Sequence, residues 1–569
     1  VRLGRALAGT AAVAVALGVV ALGGAILAGP TLLGRAATEA LRGAGLVGAE
    51  ITVTDLRFAD GWDGLRLGVA GDSGALADSA ATLDLPLSGR VRLSGALVVA
   101  VGGGSVTVAP EDCLTATAEA LTVSGQPLAL PQGATLCAAA GGPLLRWSPS
   151  ALALAAELRA PRLDAPSSGL SGEGLAVTLS QTGQGGAPVA TDGAMADVMV
   201  VNATVARLRS TAKPAPFVPL AVAVTAERAG EDPWRITGTA KDANNLLNAA
   251  LTGRYDPVAR AGQVEAVTRP IVLPPDGPGL AAISPLAAAT LAKASGTLSG
   301  RAIVGWGKNG LTTSGQATLK SVAGQAGPVT LAGVAGTIAL ASLSPLVIPD
   351  GQRLTIGLLD VGIPLTDGTL RFGYGRDGRL DVDQAQWRWA GGTVSADPFE
   401  LSPTKPSGTV TLHADGIDAA KLLTLVKVEG LDATGSLTGT LPVTFAGDRV
   451  TIDGGVLEAA APGTFRYDPA HPPAALSGEE GSPTALLLGA LTDFHYDGLR
   501  VTVDGEAGGE LVAGLSLRGA NPSFYDGHPV ALNLKLSGAL DRILRQNLDV
   551  YRIPDTVRDR MTGSDHKDP

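Results

Sequence analysis

Aromatic residues are scarce in this chain at 4%, and charged ones make up only 17%, although 45% of the residues are hydrophobic. A large α/β enzyme does not usually carry that balance. A basic surplus is missing too: 43 Lys and Arg stand against 53 Asp and Glu, a net charge of -10 spread along the chain. Nothing here would hold a phosphate backbone, so nucleic acid is not an expected partner. His413, His471, His495, His528 and His566 are scattered, and no two share metal-ligand spacing. A zinc site is therefore unsupported. There is no Gly-x-Ser-x-Gly elbow, and Cys113 and Cys137, the two cysteines, lie far from any histidine. No catalytic residue, metal or cofactor is expected, and the chain does not read as an enzyme.

What is present begins with an uncharged run. Between Arg5 and Arg35 stands "ALAGTAAVAVALGVVALGGAILAGPTLLG", long enough at about 1.5 Å per residue to cross a hydrocarbon core of about 30 Å. It reads as a transmembrane anchor, and Arg2 and Arg5 favour a cytoplasmic N-terminus. A cleaved signal peptide is the competing reading, but the run exceeds an h-region of roughly 7–15 residues. Cys113 and Cys137 would then face an oxidising compartment, as one disulfide or as two buried thiols.

Beyond residue 50 the texture is short alternating runs separated by Gly, Asp-Gly or Pro. In "VALNLKLSG", Val530, Leu532, Leu534 and Leu536 point one way while Ala531, Asn533, Lys535 and Ser537 point the other. The run "LRVTVDG" puts Leu499, Val501 and Val503 on one face, and "ELVAGLSLRG" does so with Leu511, Leu515 and Leu517. "GSLTGTLPVTF" adds Leu437, Leu441, Val443 and Phe445. One-sided strands of this kind belong to antiparallel sheets wet on one face. The expected fold is mostly β: a transmembrane helix, then a long, twisted antiparallel β-groove with a few short helices and a C-terminal amphipathic helix.

The short helices are expected in "SPTALLLGALTDF", with Ser482 as N-cap and Pro483 first in the helix, and in "ISPLAAATLAKA" and "DAAKLLTLVKV". "ALDRILRQNLDVYRI" supplies the terminal amphipathic helix. The expected division is 1–34 stub and anchor, 35–50 connector, 51–282 and 283–538 two β segments, and 539–569 helix and tail. Proline-containing stretches near 213–219 and 270–278 are candidate seams. One string, "GYGRDG", matches a dinucleotide fingerprint through Gly373, Gly375 and Gly378, but it lies between two strands and reads as a hairpin turn at Asp377-Gly378. Acidic pairs such as Asp381 with Asp383, or Asp493 with Asp497, lack the dense oxygen-ligand loop that calcium requires.

The strings "GSLTGTLPV", "GGVLEAAAPGTFRYDP", "ALTDFHYDGLRV", "LSLRGANPSFYDGHPVALNLKLSG" and "LDRILRQNLDVYRIPDTVRDRM" resemble the terminal region of the YdbH family. This is a branch of the AsmA-like proteins that also include TamB and YhdP. The resemblance runs from about residue 283 to 560 by string, and earlier only by layout. It implies a bridge-like lipid transfer protein, anchored in the bacterial inner membrane, with its bulk in the periplasm. Phospholipids would slide along the apolar face, and a small outer-membrane lipoprotein would meet the C-terminal end. The Leu, Val and Phe positions just named then become the lining of a lipid path. The second reading is a TamB-like scaffold that assembles outer-membrane proteins through exposed strand edges.

Overall fold

A computed structural model describes residues 30–39, 42, 48–59, 64–74, 87–123, 126–139, 142–149, 151–183, 198–308, 310–327, 329–360, 364–403, 406–424, 430–447, 449–469, 488–506, 511–524 and 527–537. Most of the expected anchor and all of the expected C-terminal helix fall outside these residues. Among the described ones, no helix is long and apolar enough to cross a membrane. The chain forms two compact units. The first holds Val1–Val272, Leu280–Ala289 and Ser299–Gly315; the second holds Leu273–Gly279, Thr290–Leu298 and Gln316–Pro569.

The alternation read from sequence becomes strands paired antiparallel, mostly each with the next along the chain. In the N-terminal unit, helical residues 30–39 dock on the first strand, Glu50–Phe58, where Ile51 N donates to Thr38 Oγ1 at 2.8 Å. The long strand Leu87–Gly102 takes two partners end to end, Leu114–Val123 and then Ser105–Pro110. Leu152–Ala165 does the same with Ala134–Ala138 and Leu145–Trp147. From there the ladder runs without detour through Leu170–Gly183, Val198–Ser210, Leu220–Ala229, Trp234–Asp242, Asn248–Asp256 and Ala261–Thr268 to Ala292–Gly307.

Where the partner strands change over, Cys113 and Cys137 are joined as a disulfide with Cα atoms 4.4 Å apart, beside the cross-strand pair Leu114 and Leu136. The disulfide thus ties the strand Leu114–Val123, at its Leu114 end, to the strand Ala134–Ala138. The bond closes a sequence separation of 24, and loop-closure entropy for a loop of that length is about 3 kcal/mol. Replacing both cysteines by serine should lower the unfolding free energy of the purified protein by that amount in a urea titration. A loss below about 1 kcal/mol would mean that strand pairing alone holds Leu114 against Leu136.

The C-terminal unit repeats the ladder through Leu346–Asp360, Pro364–Tyr374, Leu380–Trp389, Gly392–Ala396, Ser407–Asp418, Ser436–Ala446, Arg449–Ala459, Phe494–Glu506, Leu511–Ala520 and Val530–Ser537. The "GYGRDG" string joins two of these strands, with Gly378 at φ +78 and Gly375 N donating to Arg379 O at 2.9 Å. It is a turn that only glycine adopts easily, and no helix follows it.

Helices are short. Ala419–Thr424 starts at Asp418, whose Oδ1 accepts from Ala420 N at 3.0 Å and so caps it. Residues 488–491 are helical, while Ser482 and Pro483 lie outside the described residues. One expectation needs correcting. The helix in "ISPLAAATLAKA" stops at Thr290, and Ala292–Gly307 is strand. Extension buries Ala294 to 1% exposure; sheet pairing outweighs the local helical pattern.

Candidate functional site

Register decides which side chains share a face. In the N-terminal unit one row crosses successive strands through Leu114, Leu136, Leu158, Val177, Ala203, Val224, Gly238, Leu251, Ala266 and Ala302. That row carries no polar side chain over ten strands, which at about 4.8 Å per step is about 43 Å of apolar lining. The neighbouring row reads Ala156, Leu179, Val201, Ala226, Ile236, Gly253, Val264 and Val304, again without a polar group. Between the rows, pointing to the other side, stand Glu157, Thr178, Asn202, Thr225, Thr237, Thr252 and Glu265. Asn202 links Thr178 and Thr225 by side-chain hydrogen bonds of 3.4 and 2.8 Å, and Arg301 pairs with Glu265 at 2.7 Å. The sheet is two-faced, one side hydrated and the other hydrocarbon.

From Leu158 to Ala302 every member of the apolar row is half-buried, as is every member of its neighbour from Ala156 to Val304. Ala, Val and Gly are short side chains, and every member of both rows from these positions on keeps part of its surface exposed. The row's margin is closed by a cluster of Met199, Trp234 and Tyr255, against which Trp306 packs; its ring stacks on Tyr255 at 6.3 Å.

The positions expected to line a lipid path fall on equivalent rows of the C-terminal unit. Ile417, Leu437 and Ala459 lie in register on three strands, and Leu499, Leu517 and Leu532 on three more, while Trp389 pairs with Gly392. One row passes through Trp387, Val394, Ala414, Gly439, Leu457, Val501 and Leu515, with Leu534 in register. Leu441 pairs with Leu412, Val443 with Val410, and Val503 with Ala513. The side chains of Leu511, Leu534 and Leu536 lie outside the described residues. Val530 is exposed, and Phe445 and Val503 are half-buried.

The remaining members differ from the N-terminal face. Leu437 and Leu517 are each 1% exposed, and with Leu499, Val501, Leu515 and Leu532 they belong to one apolar cluster. Its bulk comes from Trp387, Trp389, Phe465, Phe494 and Tyr496, and from Leu422 and Leu423 of the capped helix. Burial raises the Tyr496 phenol above its ordinary pKa, and the hydroxyl donates to Thr434 O at 2.5 Å. In this conformation these side chains touch one another.

Charged groups stay off these rows in the C-terminal unit. Arg500 pairs with Glu458 at 2.6 Å, and Arg449 holds Glu506 below the usual carboxylate range through its hydrogen bond. Of the acidic pairs, Asp383 pairs with Arg371 and Asp493 with His495. Asp381 is raised above its ordinary value, first by loss of hydration and then by Asp383, Asp350 and Glu400. Among the described residues, no group of His, Cys, Asp and Glu could hold a metal ion.

The N-terminal rows carry no expected lining residue, because the family-like strings begin near residue 283. Their signal was nonetheless present as alternation, for example in "WRITGTAKD" and "NAALTGRYD". The family model described as YdbH-like, intermembrane phospholipid transport protein YdbH, matches residues 65–562. No curated protein and no solved structure matches the chain.

Proposed function

The chain belongs to the YdbH-like family, and on that premise we propose that it conducts phospholipids between membranes along the apolar face of its sheet. The observation that carries this reading is the uninterrupted, half-buried row from Leu158 to Ala302. An acyl chain leaving a bilayer loses about 0.8 kcal/mol for each methylene exposed to water, so a lining without polar gaps lowers the barrier in proportion to its length. Headgroups stay in water. Val, Ala and Leu offer no strong polar site on that row, so lipid is not trapped as it slides.

The path through the C-terminal unit is closed in this conformation, and passage there requires the cluster around Leu437 and Leu517 to open. The N-terminal run from Arg5 to Arg35 would hold the protein in the inner membrane, and an outer-membrane lipoprotein would meet its C-terminal end; both follow from the family resemblance. A photoreactive residue placed singly at Val224, Thr225, Leu251 and Thr252 in cells tests the reading. Phospholipid adducts are expected at 224 and 251 and not at 225 and 252. Protein adducts alone at 224 and 251 would instead favour the TamB-like scaffold.

A further inference from the structure

Trp387 and Trp389 are 7% and 8% exposed, and the indole Nε1 of each is buried without a hydrogen-bond partner among the described residues. Two residues apart on the strand Leu380–Trp389, they face the same side, about 7 Å apart along the chain. Trp387 heads the row that leads to Val501 and Leu515, and both indoles belong to the cluster that holds Leu437 and Leu517. Gly368 makes the arrangement possible, since a Cβ there would collide with the Trp387 indole nitrogen.

Buried N–H groups are normally satisfied, and an orphaned donor in an apolar cluster is costly enough to call for a role. The cluster around the two indoles is built of apolar and aromatic side chains, with Lys421 at its edge beside Gly391. A phosphate brought among the apolar members would lose its hydration. An acceptor that is neutral and covalently attached to hydrocarbon does fit: the ester carbonyl.

We infer that the Trp387 and Trp389 indoles form a docking point for the two acyl-ester carbonyls of a diacyl glycerophospholipid. Each N–H donates to one carbonyl oxygen when the cluster opens to admit the acyl chains. The inference rests on the phospholipid reading above and adds the part of the lipid that is recognised. Carbonyls on adjacent glycerol carbons suit two donors on one strand face, and the chains beyond them lie within the opened cluster.

The test compares dioleoyl phosphatidylethanolamine with its diether analogue, which has the same headgroup and chains but no carbonyls. Lipid retained by the purified full-length protein is read by native mass spectrometry. Each neutral hydrogen bond corresponds to about 5-fold in occupancy, so the two together give about 25-fold. The wild-type protein should therefore retain the diester at least that much better. Trp387→Phe with Trp389→Phe should remove the preference by weakening the diester alone. Equal retention of both lipids by the wild type, or a preference that survives the double substitution, overturns the docking point and leaves transport standing. Retention of neither lipid by the wild type overturns both. Should the double variant fail to fold, the wild-type comparison decides by itself.

Discussion

Val224→Glu should cut phospholipid transfer about 15-fold, while Thr225→Glu, one residue along the same strand, should leave it unchanged. Val224 lies in the middle of the half-buried row and Thr225 on the hydrated face. A carboxylate at 224 keeps its water, because burying it unpaired would cost far more than staying hydrated. A passing chain then has about two methylenes against water, which at about 0.8 kcal/mol each raises the barrier by about 1.6 kcal/mol. The half-burial of Val224 also means that the substitution leaves the fold intact, since glutamate can reach solvent. Transfer between donor and acceptor vesicles, with lipid labelled in the donor, measures both variants. Equal loss at both positions would point to a general charge effect. Equal retention at both would take the lipid path off this row.

Phe494→Ala should destabilise the C-terminal unit by about 3–5 kcal/mol, and Leu437→Ala by about 2–5 kcal/mol. Phe494 is 0% and Leu437 1% exposed, both in the cluster that joins the sheet to the short helices. Removing either leaves a cavity in a packed region that cannot fully collapse. Val224→Ala in the N-terminal unit should cost less than about 1 kcal/mol, since Val224 is already partly exposed. Urea unfolding followed by tryptophan fluorescence separates the two classes of site. Trp387 and Trp389 report on the C-terminal cluster, and Trp234 and Trp306 on the N-terminal margin. Comparable small losses at all three positions would mean that the C-terminal face is not a packed core.

The contrast between Val224 and Leu437 shows how far alternation reaches. In "LAVAVTAERA" and in "GSLTGTLPVTF" the period of two assigns Val224 and Leu437 to an apolar face with equal clarity. A strand's parity depends only on backbone geometry and on neighbours in sequence. It therefore also placed the "GYGRDG" string in a turn, because strands flank it on both sides. The limit appears at "ISPLAAATLAKA", where a helical pattern stops at Thr290 and the strand Ala292–Gly307 takes over.

Sequence by itself determined that this chain is a two-faced antiparallel sheet with hydrocarbon on one side and hydroxyls and ion pairs on the other. It also supplied the family strings after residue 283. Tertiary structure decided what lies opposite the apolar face. Val224 and Leu251 keep part of their surface exposed, whereas Leu437 is buried in one cluster with Trp387, Phe494 and Tyr496. Packing of strands far apart in sequence put the two unsatisfied indoles into the cluster around Leu437. The physical reason is that orientation is local, while burial depends on the volume of whatever comes to rest on the other side.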